Sequence, residues 1–223
     1  MLKLVIGNRA YSSWSLRGWL ACKLSGLEFE TLVVPLYDHE WPERRQGRDF
    51  APSAGKVPIL WDGDTVVWDS IAILEWLSDK VGNERFWPAD DRARAFARSI
   101  SAEMHSGYVP LRQACSMNLR HRMPTPNLPE EAKGDIDRIA SLWTQALEEF
   151  GTAGDGPFLF GEFNAADAMF APVVTRFATY SIPLPERIAT YCNAVLTHPW
   201  MKEWITAAQE EPWIIEKFEP QSA

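Results

Sequence analysis

The sequence predicts two folded units in tandem, a small α/β domain followed by an all-α domain, and three observations carry that reading. Within residues 1–81 the apolar spacing switches between a two-residue and a three-to-four-residue period, in the order strand, helix, strand, irregular segment, strand, strand, helix. From residue 92 onward no stretch reads as a strand, and the periodic stretches have helical spacing. Between them Gly82 to Asp91, with Trp87-Pro88 inside it, breaks both patterns and reads as a linker. The units expected are therefore 1–81 and 92–223, joined by 82–91.

Each element has its own signal. Leu2 to Ile6 is a short β-rich run ended by Gly7-Asn8, and a polar loop from Arg9 to Ser13 follows. From Ser15 the residues Leu16, Trp19, Leu20, Lys23 (through its stem) and Leu24 recur at helical steps until Gly26 stops the helix. Phe29 to Leu36 alternates and reads as a strand, whereas Asp38 to Ala54 is polar and irregular, with room for one short helix. Lys56 to Trp61 and Thr65 to Trp68 flank Asp62-Gly63-Asp64, a hairpin with an Asp-Gly turn. Ser70 to Val81 is helical through Ile71, Leu74, Leu77 and Lys80. Beyond the linker, helical spacing covers Arg92 to Arg120, Glu130 to Phe150, Asn164 to Ser181, Pro185 to Leu196, and Pro199 to Gln209, which carries Trp200 and Trp204 on one face.

Composition narrows the class of function. The 223 residues are 46% hydrophobic and 23% charged, so the chain can bury a core and is not disordered. Eleven tryptophans are far above average usage. With 22 basic against 30 acidic side chains the net charge is -8, and no basic stripe offsets it, which argues against a nucleic-acid partner. Cys22, Cys115 and Cys192 are too widely spaced for a CxxC pair, and the four histidines lack HxxxH spacing, so no metal is expected. The first ten residues lack the apolar core of a signal peptide, and no apolar run reaches membrane-spanning length. A reduced, cytoplasmic protein with no membrane association is the expectation.

Two places in the first unit invite a ligand. Pro58, at the head of a strand that reads as interior, marks either an edge strand or a cis Val57-Pro58 bond. In the second case the Val57 backbone faces outward, where an extended peptide can pair with it. Asp69-Ser70 then begins a helix, where free N–H groups and the dipole favour an anion. Ser70 can donate to a carboxylate and Asp69 can accept from an ammonium, although both are also ordinary capping residues.

Taken with Tyr11-Ser12-Ser13-Trp14-Ser15-Leu16-Arg17, Gly55-Lys56-Val57-Pro58-Ile59-Leu60 and Trp68-Asp69-Ser70-Ile71-Ala72-Ile73-Leu74, these features resemble the cytosolic glutathione S-transferase family, most closely its bacterial zeta-like branch. Asn164-Ala165-Ala166-Asp167 is similar to the family's capping box at a buried central helix. The resemblance covers nearly the whole chain. It implies a thioredoxin-like first domain, glutathione as cosubstrate and a homodimer. It also implies a glutathione site at Lys56, Val57, Pro58, Asp69 and Ser70; among His39, Arg44, Arg45 and Lys56 the holder of the glycyl carboxylate is open. The thiol would be activated near the start of the first helix by Ser12, with Ser13 and then Tyr11 as rivals. Trp14 stands where the zeta-like pattern has cysteine, which weakens the case for isomerase chemistry. Cys22, at helical spacing, reads as core, and Arg17 either steers an acidic substrate or pairs with a carboxylate. The acceptor is expected between the domains, against Trp14 and a helix face bearing His105, Tyr108 and Arg112. The reaction implied is conjugation to an electrophilic hydrophobic or aromatic acceptor. Glutathione-dependent isomerisation of a maleyl-type acid, peroxide reduction, or a non-catalytic binding role are the alternatives.

Overall fold

Strand β1 (Leu2–Ile6) lies inside a sheet because both of its faces are apolar: Leu4, Val5 and Ile6 are all buried. In the computed structural model, which describes residues 1–151 and 156–220, it is followed by α1 (Ser13–Ser25), β2 (Phe29–Val33), the short α2 (Trp41–Arg44), β3 (Ile59–Asp62), β4 (Thr65–Trp68) and α3 (Ser70–Val81). The sheet order is β2-β1-β3-β4, with β1 parallel to β2 and β3 antiparallel to both of its neighbours. Successive residues of β1 face opposite ways. Leu4 and Ile6 therefore pack with Leu16, Leu20, Ile73 and Leu74 of α1 and α3, while Val5 packs with Val34, Phe50 and Ile59 under the irregular segment.

Three boundaries differ from the sequence reading, each for a local reason. Helix α1 starts two residues earlier than its apolar spacing suggests, because Ser12 caps it by accepting from the Ser15 N–H. The strand expected from Lys56 starts at Ile59, since the Ser53 hydroxyl binds both the N–H and the C=O of Lys56 and holds that stretch in a turn. The strand expected to Leu36 stops at Val33, and the Leu36 N–H turns to the Asn8 side chain.

Where α1 crosses the loop before β3, Gly18 permits a close approach. A Cβ there would lie 2.7 Å from the Pro58 ring. The ring and the helix are thus held together at the point where the two ligand-facing segments meet.

The second half is helical: α4 (Asp91–Ser106), α5 (Val109–Ala114), α6 (Glu130–Glu149), α7 (Ala165–Thr179), α8 (Glu186–Thr197) and α9 (Pro199–Glu210). The single helix expected over Arg92 to Arg120 is broken. Gly107 is extended, Tyr108 is left-handed at φ 60°, and Pro110 sits in the first turn of α5, where its missing N–H costs nothing. Helix α7 is buried along nearly its whole length, and its start is fixed by the expected capping box. Asn164 accepts from the Ala166 N–H at 2.9 Å, and Asp167 accepts from the Asn164 N–H at 3.0 Å. Burial pushes the Asp167 carboxyl up to about 7. Arg17 Nε donates to the Met169 carbonyl at 2.8 Å, so α1 and α7 are joined by a buried hydrogen bond as well as by a shared core.

After α9 the chain returns over the first half. Glu211 accepts from the Arg9 N–H at 2.8 Å, Asn118 donates to the Phe218 carbonyl at 2.8 Å, and Phe218 stacks on Tyr11. No helix among the described residues is long and apolar enough to cross a membrane.

Candidate functional site

A cleft of about 890 Å³ opens between the sheet domain and the helices. One wall is built by the loop before α1, the turn before β3 and the start of α3; the other by α4, α5, α7 and the returning C-terminal segment. Of the residues expected at the site, Tyr11, Ser12, Ser13, Trp14, Lys56, Val57, Pro58, Asp69, Ser70, His105 and Arg112 all line it. Tyr108 does not.

The α1 end of the cleft is polar and preorganised. Ser12 Oγ accepts from the Ser15 N–H at 3.3 Å and lies 2.8 Å from Ser15 Oγ, which in turn accepts from the Gly7 N–H at 2.9 Å. The first N–H groups of the helix, at Ser13 and Trp14, have no intrahelical partner and carry the positive end of the dipole. Tyr11 is differently occupied. Its hydroxyl donates to Glu219 at 2.7 Å, and burial together with that carboxylate pushes its pKa upward, so its proton is committed.

The Val57-Pro58 bond is cis, and among the described residues no other backbone group takes up the Val57 N–H or C=O. Asp69 sits at φ 76° as the cap of α3 and accepts from the Ile71 N–H at 3.0 Å. Ser70, next to it, is buried, and its hydroxyl has no partner among the described residues. Such a group costs about 1–3 kcal/mol when left unpaired, and Ser101 carries the same kind of unpaired hydroxyl away from the cleft. Of the basic candidates, Lys56 is exposed on the cleft wall, while Arg44 is held by Asp38 and Glu40 and His39 is almost fully exposed beside Glu40.

On the helical wall the expected shared face of His105, Tyr108 and Arg112 does not form, because the chain breaks at Gly107. Tyr108 instead donates to Glu103 at 2.6 Å, beside Arg138 and away from the cleft. Arg112 folds back to cap the end of α4, donating to the Gly107 carbonyl at 3.0 Å and also to that of Met104. Its guanidinium lies 4.7 Å from the Trp14 ring, and that of Arg17 lies 4.8 Å from the same ring. Arg17 does not line the cleft, and among the described residues it pairs with no carboxylate. Both of its terminal nitrogens are buried without a partner, and burial, with Arg112 and Arg176 nearby, lowers its pKa. Cys22 is buried and its thiol pKa is raised by burial, as a core residue's should be.

Sequence reasoning missed Arg176, which reaches the cleft from α7 and whose pKa burial lowers to about 10. A lone arginine in the apolar run Phe170 to Thr179 was the available signal. It also missed Ile215 and Phe218 of the C-terminal segment, which no local pattern marks.

A four-stranded mixed sheet carrying a cis-proline turn, joined across a cleft to helices packed around a buried capped helix, defines a two-domain transferase architecture. Residues 11–80 match the glutathione S-transferase N-terminal domain and residues 130–207 match the C-terminal domain of that family. The chain belongs to the glutathione S-transferase family, with a thioredoxin-like first domain and a helical second one. It is similar to a zeta-class glutathione S-transferase of Euphorbia esula, 30% identical over 186 residues, with 78% of each chain covered. It is also similar to a maleylacetoacetate isomerase of Mus musculus, 26% identical over 178 residues, covering 79% of this chain and 78% of that one. In fold it resembles a glutathione transferase homologue from Burkholderia GL BGR1 with bound glutathione, at a TM-score of 0.67 and 21% identity, covering 94% of this chain and 98% of the other.

Proposed function

We propose that the chain activates glutathione as a thiolate at the start of α1 and conjugates it to an electrophilic, hydrophobic or aromatic acceptor seated against Trp14. The observation that carries this reading is the Val57 backbone at the turn before β3, unpaired among the described residues, which lines the same cleft as Asp69, Ser70 and the start of α1. Ser70 donates to the γ-glutamyl carboxylate and Asp69 accepts from the ammonium on the same carbon. Val57 pairs with the cysteinyl backbone, and Lys56 takes the glycyl carboxylate. The sulfur then lies at the α1 end.

A free thiol with a pKa of roughly 8.5 is mostly protonated at neutral pH. A hydroxyl hydrogen bond and the helix dipole both favour the thiolate, so the proton leaves to solvent. Ser12 serves as donor if Ser15 Oγ, held by Gly7, turns its own proton onto Ser12 and frees the Ser12 proton for sulfur. The thiolate attacks the electrophilic carbon, an S–C bond forms, and with an aryl halide the halide leaves with the bonding pair.

Ser12→Ala is expected to lower kcat/KM for a generic aryl halide by about a hundredfold, the scale for loss of one charge-stabilising donor. Tyr11→Phe should leave it within a few-fold. The reverse pattern would overturn the assignment, and a loss confined to Ser13→Ala would move it one residue on.

Arg112 and Arg176 favour a second reading in which the acceptor is acidic and is isomerised rather than conjugated. Turnover of a maleyl-type acid without net consumption of glutathione would support it, and an organic hydroperoxide assayed alongside tests the reductase alternative. A non-catalytic role predicts glutathione heat in calorimetry with no turnover of any of the three. The same reading holds the protein to be a cytoplasmic homodimer, with a mass in light scattering near twice 25.3 kDa.

A further inference from the structure

His105 belongs to the helical half, yet its closest polar contact is with the glutathione wall. Its Nε2 lies 3.3 Å from Asp69 Oδ2, while Asp69 Oδ1 accepts from the Ile71 N–H. Both carboxylate oxygens are thereby engaged, although the side chain is 46% exposed and its outer face remains open to the cleft. His105 Nδ1 is buried and has no partner among the described residues. Nε2 is therefore the ring nitrogen that meets a polar partner, in a contact at ion-pair distance with Asp69.

The ring itself is fixed from two sides. Trp14 packs against it edge-on with centroids 5.3 Å apart, and Arg112 clasps the last turn of α4 through the carbonyls of Met104 and His105. A fixed imidazole from one domain therefore meets an exposed aspartate with positive φ from the other. An unrestrained carboxylate in that position would sample several rotamers, and a cation binding to it would have to pay for their loss.

We propose that His105 is a positioning residue for the glutathione site, holding the Asp69 carboxylate in the orientation that accepts the γ-glutamyl ammonium. This rests on the reading of Asp69 as the ammonium acceptor. His105 then acts on glutathione affinity and not on the chemistry at sulfur.

The test is a double-mutant cycle on the full chain, with glutathione Kd from calorimetry and the thiol pKa of bound glutathione. His105→Ala is expected to raise Kd about fivefold, the effect of returning rotamer freedom to the carboxylate that binds the ammonium. The thiol pKa of bound glutathione, read from its thiolate absorbance, should not move, because the contact lies at the γ-glutamyl end and not at the sulfur. His105→Gln, which keeps a side-chain N–H, should recover most of the affinity. In an Asp69→Asn background His105→Ala should add little.

An equal penalty in both backgrounds would overturn the proposal, as would a shifted thiol pKa with Kd unchanged. Thermal melts of each variant separate these outcomes from unfolding. If Asp69→Asn itself leaves glutathione affinity intact, the ammonium assignment fails and the proposal with it. A cost at Asp69 with none at His105 overturns the positioning role alone.

Discussion

In the proposed reading Ser70 is a single side chain kept for a ligand. At the first position of α3 the residue is 1% exposed and its hydroxyl is unpaired among the described residues, an arrangement that lowers stability. Ser70→Ala removes no intramolecular hydrogen bond, so it should leave the melting temperature unchanged or raised while glutathione Kd increases about tenfold. Calorimetry and a thermal melt on the same sample check both halves; lost stability with intact affinity would make Ser70 an ordinary core residue. Arg17 presents the contrasting case. Its guanidinium is buried, with one Nε bond to Met169 and the Trp14 ring as its other support. It ties α1 to α7 behind the cleft, whereas Arg112 and Arg176 are the arginines that line the cleft.

At the scale of elements, the cleft depends on segments that are not regular. The break between α4 and α5 turns Tyr108 out to Glu103 and brings Arg112 back over Trp14. The segment after α9 supplies Ile215 and Phe218 to the wall and is pinned by Glu219, which accepts from Tyr11 at 2.7 Å and Asn118 at 3.1 Å and lies 2.6 Å from His121. Burial alone would raise the Glu219 pKa, but the donations from Tyr11, His121 and Asn118 outweigh it and hold the pKa below its ordinary value. The unfolded value is therefore the higher one. The contribution of this carboxylate is present above about pH 4.3 and is lost as pH falls through the lower folded value. Protection of the Phe218 and Glu219 amides in hydrogen exchange, corrected for intrinsic rates, should fall across that window. Glu219→Gln should loosen the segment already at neutral pH. Unchanged protection in both cases would mean that packing on Tyr11, not the carboxylate, holds it.

Across the whole molecule, the elements legible in the sequence are those whose signals are local. The Asp-Gly hairpin, the capping box at Asn164 and the periodic apolar faces each specify themselves within a few residues, and all are present. The cleft was legible where a backbone device marked it, at Pro58 and at Asp69-Ser70. Arg176, Ile215 and Phe218 join it only because α7 and the C-terminal segment pack against the start of α1, a tertiary fact with no local trace. The Arg92 to Arg120 stretch misled for the opposite reason. Its spacing is helical throughout, but Gly107 and Pro110 allow a break that the Tyr108–Glu103 and Arg112–Met104 bonds then hold.

The central claim is that the α1 end of the cleft lowers the pKa of a bound glutathione thiol. Its most direct measurement is a pH titration of the thiolate ultraviolet absorbance of bound glutathione, in the native chain and in Ser12→Ala. The account predicts an apparent pKa at least about one unit below the free-thiol value of roughly 8.5 in the native chain, and a return toward that value in Ser12→Ala. Glutathione bound with an unshifted thiol, or a shift that Ser12→Ala leaves intact, would contradict it.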